Sequence, residues 1–298
     1  MEVASAAFRY FYQFMDSFSY LVLAALGLSI IFGMMGIINQ AHGEFIMLGA
    51  YAFTIPASIG VPYIICIIIA VLFVALFGLV IDRLIICRLY SRPLDSVVVT
   101  WGISLVITQG IRIIFGSTLG SVPVPFGSAV IGNETYSVYR LVLMGVSILI
   151  LILFYLFFMH TGFGLRSRAT MQNSEVARAL GVNTNFTYSV TFMIGSALAG
   201  LCGALYAPLI NVTPDMGQQY IIQAFTTVVV GGGNPLVGTV ISGSFLGLVN
   251  GVLAMRISQF AGRIGMLVAA IIFIRVMPQG FSGLVEKGRI RRKINAKR

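Results

Sequence analysis

The sequence predicts an all-α integral membrane protein of about 8–10 transmembrane helices, including two short interrupted segments, in one domain over residues 1–298. Hydrophobic residues make up 58% of the chain and charged residues only 9%, with a mean hydropathy of +0.97. Such a chain has too little polar surface to cover a water-soluble globule. Seven apolar stretches are close to the length of a helical crossing, at 17–37, 61–81, 96–115, 140–159, 188–208, 236–255 and 262–279.

The distribution of Lys and Arg predicts the orientation of these crossings. Most basic residues fall in the connections 82–95 and 161–187 and in the C-terminal tail 283–298, whereas the connection 116–139 contains Glu134 and no basic residue. Since basic residues accumulate on the cytoplasmic side of membrane spans, the tail and the 161–187 loop are predicted to be cytoplasmic. The net charge of +10 is then explained by a tail that meets anionic lipid, not by nucleic acid.

Two further apolar stretches, 41–58 and 217–232, are shorter and are interrupted by polar residues or glycines. Each follows an Ile-Asn pair, at Ile38-Asn39 and Ile210-Asn211, and each comes after a Gly- and Ala-rich span. The charge count gives those two spans opposite directions, provided that both short segments cross the membrane. The sequence therefore predicts two inverted halves with a central pathway between the interrupted segments.

Polar residues at these interruptions are the candidate pathway. Charge buried in hydrocarbon is costly, and a broken helix leaves backbone groups that only protein or water can satisfy. His42 and Glu44 are predicted to line or brace a wetted passage; alternatively, they lie at a surface turn, with Glu44 paired to an arginine. Asp215 either faces the passage or belongs to a turn after Pro214. The complete predicted pathway set is Asn39, Gln40, His42, Glu44, Asp215, Gln218 and Gln219.

Three successive glycines, Gly231, Gly232 and Gly233, follow the second short segment. Glycine costs helix stability of about 1 kcal/mol per residue relative to alanine. The run therefore predicts a helix break or a close backbone contact.

The 161–187 loop contains the segment NSEVARALGVN, residues 173–183. Asn173 or Ser174 can cap a short helix, and Gly181 can end it. The chain has no GxxxxGK[ST] motif with which to bind ATP itself. The heptapeptide EVARALG matches the EAA---G pattern of ABC permeases, which predicts a helix that seats in a groove of an ATPase subunit; the alternative is an ordinary amphipathic surface helix. The predicted coupling residues are Glu175, Val176, Ala179, Leu180 and Gly181.

The segment GIINQAHGEFIMLGAY, residues 36–51, resembles the signature of permease subunits of branched-chain amino-acid and urea ABC importers. Gln40 departs from the Phe or Met usual in that motif. The resemblance extends over about residues 17–282, and LDSVVVTWGISL at 94–105 is more similar to the urea-type branch.

This resemblance implies an inverted-repeat importer subunit in the bacterial inner membrane, with urea or a short amide as solute and branched-chain amino acids as the alternative. It implies a second permease subunit, two ATP-binding subunits and a periplasmic solute-binding protein as partners. ATP and Mg would be held by the ATP-binding subunits, so this chain would hold no cofactor, bind no metal and catalyse no covalent step. A remaining alternative is an ion-coupled secondary carrier, with His42, Glu44 and Asp215 as relay groups.

Overall fold

The computed structural model describes residues 2–90, 92–131 and 134–283, which form a helical bundle with one small hairpin. Apart from Gly283, the predicted basic tail 283–298 lies outside the described residues. The helices are α1 (Glu2–Met35), α2 (His42–Ser58), α3 (Tyr63–Leu84), α4 (Pro93–Phe115), α5 (Val138–His160), α6 (Gly162–Gln172), α7 (Ser174–Ala179), α8 (Thr184–Tyr206), α9 (Met216–Gly231), α10 (Pro235–Arg256) and α11 (Gln259–Val276). Strands β1 (Ser128–Ile131) and β2 (Glu134–Ser137) pair antiparallel, with Ser128 opposite Ser137.

Seven helices in the described part of the chain are long and apolar enough to cross a membrane. They are α1, α3, α4, α5, α8, α10 and α11, and each overlaps most of one of the seven apolar stretches of the sequence. The two short segments form the separate helices α2 and α9, of 17 and 16 residues. The prediction of an all-α integral membrane protein is therefore confirmed.

Helix α5 defines two faces of the bundle, because it joins the β hairpin to α6. Its 23 residues span about 34 Å. We call the end with the hairpin the hairpin face and the opposite end the α6–α7 face. The Arg9 guanidinium lies 3.2 Å from the Glu134 carboxylate, which places the start of α1 at the hairpin face. The end of α1 lies at the other face, where Met34 packs in one cluster with Phe158.

Close backbone contacts hold the long helices together. Helices α1 and α8 cross at Gly27 and Gly195, where a Cβ atom on Gly27 would lie 2.3 Å from the Gly195 carbonyl oxygen. Small residues allow this approach, and close packing is the main attraction between helices in a membrane. Helix α1 also packs along α10 while α8 packs along α3. Helix α8 begins after α7, at the α6–α7 face, and the Leu205 carbonyl near its end accepts a hydrogen bond from Tyr139 at the start of α5, so α8 runs opposite to α1. This pairing is the arrangement expected of two inverted halves.

The short helices α2 and α9 touch near their first residues. A Cβ atom on Gly43 would lie 2.0 Å from the carbonyl oxygen of Gly217. From this contact α2 runs toward the hairpin face, where Tyr63 at the start of α3 donates a hydrogen bond to the Pro123 carbonyl. Helix α9 runs the other way and ends at Gly231, packed on Gly238 near the start of α10. With their preceding non-helical residues, both segments lead from one face to the other.

Candidate functional site

His42 begins α2 and attaches it to α1. Its side chain is fully buried, and the Nε2 atom lies 3.1 Å from the Ala24 carbonyl oxygen. A carbonyl only accepts hydrogen bonds, so this contact requires the proton on Nε2. Asn39 closes the preceding turn, since its Oδ1 atom accepts a hydrogen bond from the Ala41 amide at 3.1 Å. These contacts attach the start of α2 to α1 and leave the His42 side chain without exposed surface.

Glu44 is buried as completely as His42, with 1% of its surface exposed. One of its carboxylate oxygens has no hydrogen-bond partner among the described residues, and none of the ion pairs found there includes it. Ser104 of α4 lies beside it. The arginine pairing considered from the sequence is therefore not observed in the described part of the chain.

Helix α4 presents a row of buried hydroxyl groups that sequence reasoning overlooked. We call this row the hydroxyl stripe; it consists of Ser96, Thr100, Ser104 and Thr108, all less than 10% exposed. The spacing of four residues, which places side chains on one helix face, was the available signal. The Gln40 amide donates to the Thr100 hydroxyl at 3.0 Å, and that hydroxyl in turn contacts the Ser96 carbonyl at 2.6 Å. The stripe thus contacts the turn before α2.

The predicted polar residues at the start of α9 are far more exposed than those of α2. Asp215 forms an ion pair with Arg112 at the end of α4, and its side chain is 62% exposed. The backbone around it also turns, since the Gln218 amide donates to the Asp215 carbonyl at 3.3 Å. Gln218 is exposed, and the Gln219 Oε1 atom accepts a hydrogen bond from Arg263 at 3.2 Å. The structure therefore separates the predicted pathway residues into a buried group and an exposed group.

A cavity of about 250 Å³ opens beside the start of α9, at the hairpin face. We call it the α9 cavity. Charged, amide and tyrosine side chains dominate its lining, and Asp16 and Arg140 form an ion pair of 2.6 Å within it. Of the predicted pathway residues, only Gln219 lines it. Its other polar or charged lining residues are Gln13, Asp16, Ser17, Tyr20, Arg140, Tyr206, Asn211, Thr213, Tyr220, Gln223, Asn250, Gln259 and Arg263.

The predicted glycine break lies at the far end of α9. The helix ends at Gly231, and Gly232 has a φ of +80°, a conformation that L side chains rarely adopt. A Cβ atom on Gly232 would also lie 2.6 Å from the Gln279 carbonyl oxygen, after α11. Gly233 has open space around it. The close contacts thus involve the first two glycines of the run.

The predicted coupling segment forms α7 on the α6–α7 face. The Asn173 side chain accepts hydrogen bonds from the amides of Glu175 and Val176, both at 3.0 Å. Gly181 has a φ of +85°, as a left-handed helix stop requires. The side chains of Val176 and Leu180 are 53% and 79% exposed, and Ala179 is exposed as well. An apolar patch is therefore presented on a firmly capped helix.

Two hydrogen bonds connect α6 and α7 to long helices. Arg168 of α6 donates to the Phe158 carbonyl of α5 at 2.5 Å. Arg178 of α7 donates to the Thr184 hydroxyl at the start of α8, at 3.2 Å.

Among the described residues, no group of three or more His, Cys, Asp or Glu side chains could hold a metal ion.

Residues 10–277 match the family described as branched-chain amino acid transport system / permease component. The chain is 28% identical to the high-affinity branched-chain amino acid transport system permease protein LivH of Salmonella typhimurium, over 89% of this chain and 91% of that protein. It is 27% identical to BraD, the corresponding permease protein of Pseudomonas aeruginosa, over 76% and 79% of the two chains. A probable LivH of Methanocaldococcus jannaschii is 29% identical over 89% of each chain. No solved structure gives a significant match.

Proposed function

The chain belongs to the branched-chain amino acid transport system permease family, and we propose that it is the permease subunit of an ATP-driven importer of branched-chain amino acids. Its proposed partners are a second permease subunit, two ATP-binding subunits that hold ATP and Mg, and a periplasmic solute-binding protein. The α6–α7 face and the C-terminus are proposed to be cytoplasmic, in a bacterial inner membrane. The chain itself is a transport subunit without an ATPase site.

Branched-chain amino acids replace urea as the preferred solute. The relatives reported above are all named for branched-chain amino acid transport, and no relative supports the urea branch. The stretch 94–105, which resembles the urea branch, contributes three hydroxyls of the hydroxyl stripe. Two of them, on Ser96 and Thr100, hydrogen-bond to backbone groups of α4 or of the turn before α2. Such contacts serve packing, so this stretch does not distinguish the two solutes.

The exposed apolar patch of α7 is the observation that carries the proposal of ATP coupling. Val176 and Leu180 lie on a helix whose start is fixed by the Asn173 cap. An ATPase groove that covers this patch would remove apolar surface from water and grip a rigid element. Arg168 and Arg178 join α6 and α7 to the ends of α5 and α8. A displacement of α7 would therefore reach α8, which packs against α1, α2 and α3.

The secondary carrier finds less support in the site. His42 is hydrogen-bonded to the Ala24 carbonyl, whereas Asp215 is paired with Arg112 at an exposed position. Glu44 is buried, with one oxygen unpartnered among the described residues. No hydrogen bond in this part of the chain joins the three groups into a proton relay.

The proposal is tested by reconstituting the complete complex in proteoliposomes and measuring uptake of radiolabelled leucine and urea with and without ATP. We expect ATP-dependent uptake of leucine by the wild-type complex. Leu180→Asp should reduce both this uptake and the co-purification of the ATP-binding subunits at least about tenfold, because the substitution places a charge in an apolar contact. Val130→Asp is the matched control, since Val130 is 71% exposed on the hairpin at the opposite face. Full co-purification and uptake in Leu180→Asp would contradict the coupling role.

A further inference from the structure

The α9 cavity has the chemistry of a site for a whole amino acid. We propose that it binds the transported solute directly, with the α-carboxylate at Arg263 and the ammonium group at Gln223. This inference rests on the proposed function, because it assigns the substrate of that importer to a place inside this subunit.

The charges of the α9 cavity favour one carboxylate. Its lining carries two guanidinium groups against one carboxylate, and Asp16 and Arg140 neutralise each other in an ion pair of 2.6 Å. Arg263 donates a hydrogen bond to the neutral Gln219 side chain, at 3.2 Å, and forms no ion pair within the described part of the chain. A guanidinium group left in this state matches a carboxylate, which it can bind through two parallel hydrogen bonds.

Two buried polar atoms in the cavity lining lack partners. Gln223 and Tyr206 are 6% and 5% exposed, and the Gln223 Oε1 and Tyr206 hydroxyl atoms have no hydrogen-bond partner among the described residues. An unpartnered buried polar atom is costly, so each of these atoms favours a ligand that pairs with it. The Gln223 oxygen can only accept, and an ammonium group supplies three donors.

The remaining lining suits an apolar side chain. Leu209, Ile210 and Met216 are among the lining residues, as are the rings of Tyr20 and Tyr220. The volume of about 250 Å³ is just below the roughly 300–1,000 Å³ typical of sites for drug-sized ligands. A zwitterion with a short aliphatic side chain would use the Arg263 charge, the buried acceptor and this apolar surface together. Urea has no carboxylate and could not form an ion pair with Arg263.

The experiment compares leucine with leucinol, in which a hydroxymethyl group replaces the carboxylate. Binding of each is measured on the permease pair with its ATP-binding subunits in lipid nanodiscs, without the solute-binding protein. In the wild-type complex we expect leucinol to bind about 10- to 100-fold more weakly, the worth of a charge-assisted hydrogen bond. Arg263→Gln should bind leucine and leucinol about equally. Arg263→Lys keeps the positive charge but cannot form two parallel hydrogen bonds with a carboxylate, so it should retain part of the preference for leucine.

Arg256→Gln is the matched control. Arg256 is an exposed arginine at the end of α10, 5.6 Å above the Tyr10 ring and outside the cavity lining. The Arg256→Gln variant should keep the wild-type preference for leucine. This result would separate an effect of the site from a general loss of positive charge on this face.

A full preference for leucine in both Arg263 variants would overturn the proposed site. So would the absence of leucine binding in a wild-type complex that still takes up leucine with ATP, and in that case the proposed function stands. Conversely, Arg263-dependent leucine binding without any ATP-driven uptake would support the site while contradicting the importer.

Discussion

The short helices α2 and α9 begin against each other but have opposite surroundings. At the start of α2, His42 and Glu44 are at most 1% exposed. At the start of α9, Gln218 and Gln219 are exposed, and Gln219 lines the α9 cavity. The two short helices therefore differ in their packing: His42 and Glu44 of α2 are enclosed by other helices, whereas Gln219 of α9 borders the α9 cavity.

Neighbouring helices explain this difference. Helix α2 packs between α3 and α8 and also touches α4, and the His42 ring lies against α1. Helix α9 packs on α1 and α10, but its preceding residues run along the lining of the cavity. Whether a polar residue in an interrupted span lies beside open space therefore depends on the helices packed around it.

The largest effect is expected where the two helices meet. Gly43→Ala would place a Cβ atom 2.0 Å from the Gly217 carbonyl oxygen, and a backbone atom cannot move aside as a side chain can. We expect the free energy of unfolding to fall by about 3 kcal/mol or more, seen as a large fall in the melting temperature of the detergent-solubilised complex. Gly110→Ala on α4 is the control, since a Cβ atom there meets nothing within 4 Å. Equal melting temperatures for the two variants would show that α2 and α9 do not touch as described.

A smaller effect is expected from His42, the side chain that attaches α2 to α1. His42→Ala removes the hydrogen bond to the Ala24 carbonyl and leaves a buried space, at a cost of about 2 kcal/mol. His42→Gln retains an N–H donor and should recover part of the thermal stability. If His42→Ala leaves the melting temperature unchanged but abolishes uptake, His42 acts in the pathway and not as a brace.

The smallest effect on stability is expected at the exposed end of α9. Asp215→Asn breaks the ion pair with Arg112. The Asp215 side chain is 62% exposed and the Arg112 side chain 41%, and exposed ion pairs contribute at most about 1 kcal/mol to the free energy of unfolding. The melting temperature should therefore change little. A double-mutant cycle with Arg112→Gln measures the coupling energy of the Asp215–Arg112 pair directly. A coupling energy of several kcal/mol would mean that this end of α9 is as buried as the start of α2.

Sequence reasoning recovered the features that depend on local composition. Hydropathy located the seven long helices, and the polar interruptions located α2 and α9. The sequence also indicated the Gly181 stop, because a left-handed backbone conformation favours glycine wherever the chain folds. The spacing of four residues in the sequence is a local signal of the hydroxyl stripe as well.

The α9 cavity could not be predicted in the same way. Its ion pair joins Asp16 and Arg140, which are 124 residues apart in sequence. The hydrogen bond from Arg263 to Gln219 likewise joins two separate helices, α11 and α9. For His42 the sequence left lining and bracing open, because the choice depends on whether α1 covers the ring. Contacts of this kind follow from the packing of distant segments, which no local pattern encodes.

Thiol labelling tests the contrast between α2 and α9 most directly. Single cysteines would replace Glu44 and Gln219 in a complex whose subunit lacks its own Cys66, Cys87 and Cys202, and the rate of reaction with a charged thiol reagent would be measured. We expect Gln219→Cys to react readily and to be protected by leucine, whereas Glu44→Cys reacts at least about tenfold more slowly because no water reaches it. Equal labelling of the two positions, with leucine protecting only Glu44→Cys, would place the solute at α2 and contradict this account.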